Sequence, residues 1–119
     1  MAKRRAFRSL KVSASFKAFV LDQLEELGGV TAKAMFGGVG LYRDSVFFGL
    51  IARDTLYLKV DDRTVKDFER AGSKPFTPYA NRKGSRHYYA VPVDVLESAI
   101  ELTAWARKAV AAAKRAVLV

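Results

Sequence analysis

Residues 46–52 read Val-Phe-Phe-Gly-Leu-Ile-Ala, seven positions without a polar side chain, bounded by Arg43-Asp44-Ser45 and Arg53-Asp54. Seven residues suit a strand and fall far short of the ~18 that span a membrane as a helix. Asp and Ser at the breaks favour tight turns, because they bond backbone groups locally and tolerate left-handed conformations. Residues 39–42 alternate before the run, and Leu56, Leu58 and Val60 alternate with Tyr57 and Lys59 after it. Alternation marks a strand with one buried face, and the unbroken run a central strand. Three strands reversed this sharply form an antiparallel meander, and residues 31–36 are compatible with one more short strand.

Helical patterns flank the meander. Phe16, Phe19, Val20, Leu24 and Leu27 recur at helical spacing behind Ser13 and Ser15, and Gly28-Gly29 ends that helix. Asp61-Asp62 is read as the start of a helix reaching Arg70, with the acids at the positive end of its dipole and Val65 and Phe68 as core contacts. Residues 75–80 form a fourth strand or an edge segment, since two prolines disfavour a central place. Residues 81–86 form a polar loop around Gly84, and 87–91 the last strand, stopped by Pro92. The final helix runs from Val93-Asp94 to Ala116 on a stripe of Val95, Ala99, Leu102, Ala106, Val110, Ala113 and Val117. The order α-β-β-β-α-β-β-α predicts a two-layer α+β fold, an antiparallel sheet packed with helices. At 119 residues and 50% hydrophobic, the chain suits a single domain over residues 13–119.

The formal net charge of +9 is unevenly placed. Lys3, Arg4, Arg5, Arg8 and Lys11 lie in residues 1–12, read as a flexible basic arm. Arg82, Lys83 and Arg86 cluster beside His87, and Arg107, Lys108, Lys114 and Arg115 near the end, where they complement the helix dipole. The arm and loop cations are the candidate contacts for nucleic acid or an acidic partner, of a non-specific, salt-dependent kind. An Arg-rich, Ser-containing, acid-free start also resembles an organelle transit peptide, whereas a secretory signal is disfavoured because no apolar stretch follows the charges. The expectation is a cytoplasmic protein with no membrane segment.

Absence of cysteine excludes disulfides, thiolate metal sites and thiol nucleophiles, and a single histidine excludes multi-histidine sites. His87 has no carboxylate near it in sequence and reads as a surface histidine. Asp61-Asp62 lacks the Asp/Asn/Gly loop of a calcium site. In MFGGVGLY the glycines Gly37, Gly38 and Gly40 match neither G-x-G-x-x-G nor the Walker pattern, and a strand follows them where phosphate binding needs a helix. They read as a bend that sends Met35 and Phe36 into the core. Tyr79, Tyr88 and Tyr89 with Arg82, Lys83 and Arg86 make one aromatic and basic cluster. Its plain reading is strand aromatics facing the core beside a solvated loop.

Met35-Phe36-Gly37-Gly38, Gly40-Leu41-Tyr42, residues 48–52 and Leu56-Tyr57-Leu58-Lys59, followed by Phe68, Gly72, Tyr88-Tyr89, Val91-Pro92 and Trp105-Ala106, resemble the N-terminal domain of the TfoX/Sxy family over residues 16–113. The resemblance implies a small α+β domain linked to regulation of bacterial competence. It implies no catalytic residue or cofactor, and a protein partner such as a transcription factor. Full-length competence regulators carry a second, helical domain, and this chain ends after the first. Met35, Phe36, Gly37, Gly38, Gly40, Tyr42, Tyr88, Tyr89, Pro92 and Trp105 are then scaffold positions. The expectation is a non-enzymatic regulatory or interaction domain, with direct nucleic-acid binding as the alternative.

Overall fold

A computed structural model describes residues 11–77 and 85–118. Lys3, Arg4, Arg5, Arg8, Tyr79, Arg82 and Lys83 lie outside these residues, as does the side chain of Arg86. The meander has four strands: β1 (Val30–Met35), β2 (Gly38–Arg43), β3 (Val46–Ala52) and β4 (Thr55–Lys59). Its turns are Phe36-Gly37, Asp44-Ser45 and Arg53-Asp54, and all six residues have positive φ, from 50° to 85°. Two consecutive left-handed residues make the turn type whose twist matches that of the strands it joins. After α2 (Val65–Arg70), β5 (Pro75–Phe76) and β6 (Ser85–Ala90) complete the sheet in the order β1-β2-β3-β4-β6-β5. The α+β class and the antiparallel sheet are as the sequence predicts.

The apolar run does not alternate because both faces of β3 are packed, and a bulge interrupts its register. Leu41 pairs with Gly49 but Tyr42 with Phe47, which leaves Phe48 as the extra residue. Phe48 is fully buried among the residues that face the helices. Phe47 and Leu50 belong to a second cluster, with Tyr57, on the opposite face. Gly49 is required by packing, because a Cβ there would lie 2.8 Å from the Tyr57 carbonyl oxygen.

α1 (Ala14–Gln23) begins at the Ser13 cap, whose hydroxyl accepts the Phe16 N–H at 3.2 Å. It ends four residues earlier than expected, and a short 3-10 helix (Glu25–Leu27) fills the gap before Gly28 and Gly29 at φ 75° and 70°. Phe19 drops out of the buried stripe and is exposed. The expected last helix is two, α3 (Val93–Leu96) and α4 (Ala99–Leu118). The Ser98 hydroxyl accepts the Glu101 N–H at 3.2 Å and starts α4, while Gln23 of α1 donates to the Leu96 carbonyl left open at the end of α3. Val117 is exposed, because α4 there has run past the sheet's core.

Every described helix delivers its apolar side to one cluster. Val20, Phe68, Val95 and Leu102 meet Leu41, Ile51 and Leu58 there. Ala106, Ala109 and Ala113 keep α4 close to β3 and β4. Trp105 packs edge-on to Phe68 at 4.7 Å, and Phe68 in turn touches Tyr89. Each fully buried Leu or Ile contributes about 2 kcal/mol.

Candidate interaction face

Helices on one side leave the other side of the sheet without a described layer. Strand alternation puts Tyr42, Phe47, Tyr57, Lys59 and Tyr88 on that outer side. Tyr42 pairs with Phe47, and Lys59 with Tyr88, so these residues form one row across the strands. The ring centroids of Tyr42 and Phe47 are 5.1 Å apart, and those of Phe47 and Tyr88 5.7 Å, with tilted planes. Lys33 places its Nζ 5.4 Å from the Tyr42 ring centre and Lys59 its Nζ 5.5 Å from that of Tyr88. Burial pushes the Tyr88 hydroxyl upward from its ordinary range, with help from nearby Tyr42.

Gly40 lies under this row. A Cβ there would stand 2.6 Å from Met35 Sδ and 3.1 Å from Phe47 Cε1. The glycines of MFGGVGLY thus do different work: Gly37 closes a hairpin at φ 85°, and Gly40 makes room for side chains from both neighbouring strands. Gly38 is the first residue of β2 and is buried. Phe36 corrects the sequence reading. It sits at the hairpin tip with φ 50° and is 80% exposed, outside any core. Met35 is half-buried on the outer side and does not reach the helix-facing core.

Of the aromatic and basic cluster read from sequence, Tyr88 faces outward while Tyr89 packs inward against Phe68. Arg86 lies in β6, Lys11 is exposed, and Pro92 caps α3. The outward pairing of Tyr42 with Phe47 was missed, although their positions on either side of a two-residue turn imply a shared face.

A second group of residues surrounds a cleft of about 380 Å³ that includes Asp61, Asp62, Glu69, His87 and Tyr89. Here too the sequence reading is corrected. α2 starts at Val65, so the two acids precede the helix and do not cap it. Asp61 holds the turn before α2: its Oδ1 accepts the Arg63 N–H, and its own N–H donates to Thr64 Oγ1. Its Oδ2 accepts from Arg115 Nε at 2.7 Å, tying the end of α4 to β4. That hydrogen bond holds the Asp61 carboxyl below the usual carboxylate range, against a smaller effect of burial. No group of three His, Asp or Glu side chains stands at metal-binding spacing among the described residues.

The architecture defines a small α+β domain with helices on one face of a six-stranded antiparallel sheet. The chain belongs to the TfoX N-terminal domain family, whose model matches residues 22–113. No curated protein matches it. No described helix is long and apolar enough to cross a membrane.

Proposed function

We propose that this is a non-enzymatic regulatory domain that takes a protein partner along the β1 edge. The observation behind the proposal is that edge itself. Among the described residues β1 pairs only with β2, runs six residues, and ends at exposed Phe36. The Phe36-Gly37 turn makes Met35 and Gly38 a hydrogen-bonded pair, so alternation directs the N–H and C=O groups of Ala34 and Ala32 away from β2. An extended segment of a partner can bond to such groups and add a strand. Family membership supports a role in transcriptional regulation linked to competence, in the bacterial cytoplasm, with a transcription factor as partner. The commitment of Asp61 to Arg115 and to its own turn supports the non-enzymatic reading.

The test is a photo-crosslinking residue in place of Ala34, with and without Ala32→Pro. Proline removes one outward donor and leaves the β1–β2 ladder intact. The expected result is a discrete protein adduct that Ala32→Pro abolishes while the melting temperature holds. An adduct indifferent to Ala32→Pro, or none in cells that express the pathway, overturns the edge reading.

A second reading rests on charge placement: an electrostatic contact of nucleic acid with Lys3, Arg4, Arg5, Arg8, Lys11, Arg82, Lys83 and Arg86. It predicts steep loss of binding with salt and little preference among sequences.

A further inference from the structure

We infer that the outer face of the sheet binds single-stranded nucleic acid, with bases stacked on Tyr42, Phe47 and Tyr88 and phosphates held by Lys33 and Lys59. Neither the edge reading nor the electrostatic reading requires this site, and it uses none of the arm.

Three observations meet at this surface. The first is the row of rings, whose planes are tilted by 45° and 53°, so that they do not stack on one another. A flat base can settle against such rings, and each stacked base is worth ~1–3 kcal/mol with little regard to sequence. The second is the charge. The described strand residues of this face carry Lys33 and Lys59 and no acid; Asp44 of the β2–β3 turn lines the cleft beside Lys33 and Tyr42, and among the described residues neither lysine is in an ion pair. Both ammonium groups rest over tyrosine rings, 5.4 and 5.5 Å from their centres, where a cation is weakly held and ready to pair with an anion. The third is access: every described helix packs on the opposite side, and although Leu50, Ala52 and Tyr57 of this face are buried, Tyr42, Phe47 and Tyr88 remain half-buried and Lys33 is exposed.

These features choose among occupants. An apolar protein surface would bury two unpaired ammonium groups, a cost of several kcal/mol per ion. A duplex presents phosphates but keeps its bases stacked inside, away from the rings. A single strand offers both partners at once, anions for the lysines and free π-faces for the rings. The excess of positive charge over the whole chain raises its local concentration.

The experiment is fluorescence anisotropy on the full chain with three labelled probes of about twelve nucleotides: oligo-dT, oligo-U and a mixed-sequence duplex. Salt is varied from about 50 to 150 mM. One or both single strands are expected to bind at least about tenfold more tightly than the duplex, and comparing the two identifies DNA or RNA. Tyr42→Leu, which keeps an apolar side chain in the row, is expected to weaken single-strand binding about tenfold with the salt slope unchanged. Exposed Lys33→Gln with half-buried Lys59→Gln is expected to lower the slope by about 1.4. Changing Arg4, Arg5 and Arg8 to Gln should weaken all three probes alike. Ala32→Pro should leave single-strand binding intact, which separates this site from the edge. Equal affinity for duplex and single strands, indifference to Tyr42→Leu, or no binding at low salt overturns the assignment.

Discussion

Individual residues here are constrained by what lies beside them more than by their own preference. Gly49→Ala would drive a methyl into the backbone of β4, whereas Gly40→Ala meets the flexible end of Met35 first. Denaturant unfolding should therefore show Gly49→Ala costing about 2–3 kcal/mol and Gly40→Ala about 1. Phe36 is a bulky residue held left-handed in water. Phe36→Asn creates Asn-Gly, the favoured pair for this turn, and should raise stability by about 0.5–1 kcal/mol in the same assay. Asp61 makes the fold sensitive to acid. Arg115 keeps its carboxyl ionised where the unfolded chain would take up a proton, so the contribution is whole above about pH 4 and fades as pH falls through the lowered value. Asp61→Asn should lower the melting temperature at pH 7, and the gap to wild type should close as pH falls through the lowered Asp61 value. A gap that persists in acid would mean the pair works through packing alone.

Among the elements, the hairpins were the most legible, because Asp44-Ser45 and Arg53-Asp54 interrupt apolar strands with residues that accept positive φ. β1 was faint: Ala32, Lys33 and Ala34 have little strand preference, and the strand exists through its pairing with β2. The break between α3 and α4 could not be read, since Glu97 and Ser98 are acceptable inside a helix and only the hydrogen bond from Glu101 reveals the cap. Ser98→Ala should cost about 1 kcal/mol, measured by chemical denaturation, and Ser98→Asp should recover most of it. The outer face escaped for another reason. An aromatic in a strand suggests the helix-facing core, and that holds for Phe48 and Tyr89, whereas Phe47 and Tyr88 one position away pack half-buried in a second cluster on the outer side. The bulge at Phe48 decides which of two adjacent phenylalanines faces which way, and no periodicity announces a bulge.

At the scale of the whole molecule, charge and topology leave separate marks. A net charge of +9 repels itself in the compact state. The ion pairs of Asp67 with Arg70 and with Lys108, and of Asp61 with Arg115, are partly exposed, and such pairs contribute little to stability. Screening should relieve more repulsion than attraction. Calorimetry is expected to show the melting temperature rising by a few degrees between about 20 and 500 mM sodium chloride, and a fall would place the balance with the pairs. The sheet's two ends are also unequal. β1 offers six residues, while the described part of the opposite edge is two residues long and opens with Pro75, which has no N–H to give. Two such chains joined through β1 alone would each use that edge on the other, so an association built on β1 pairing with β1 closes at two.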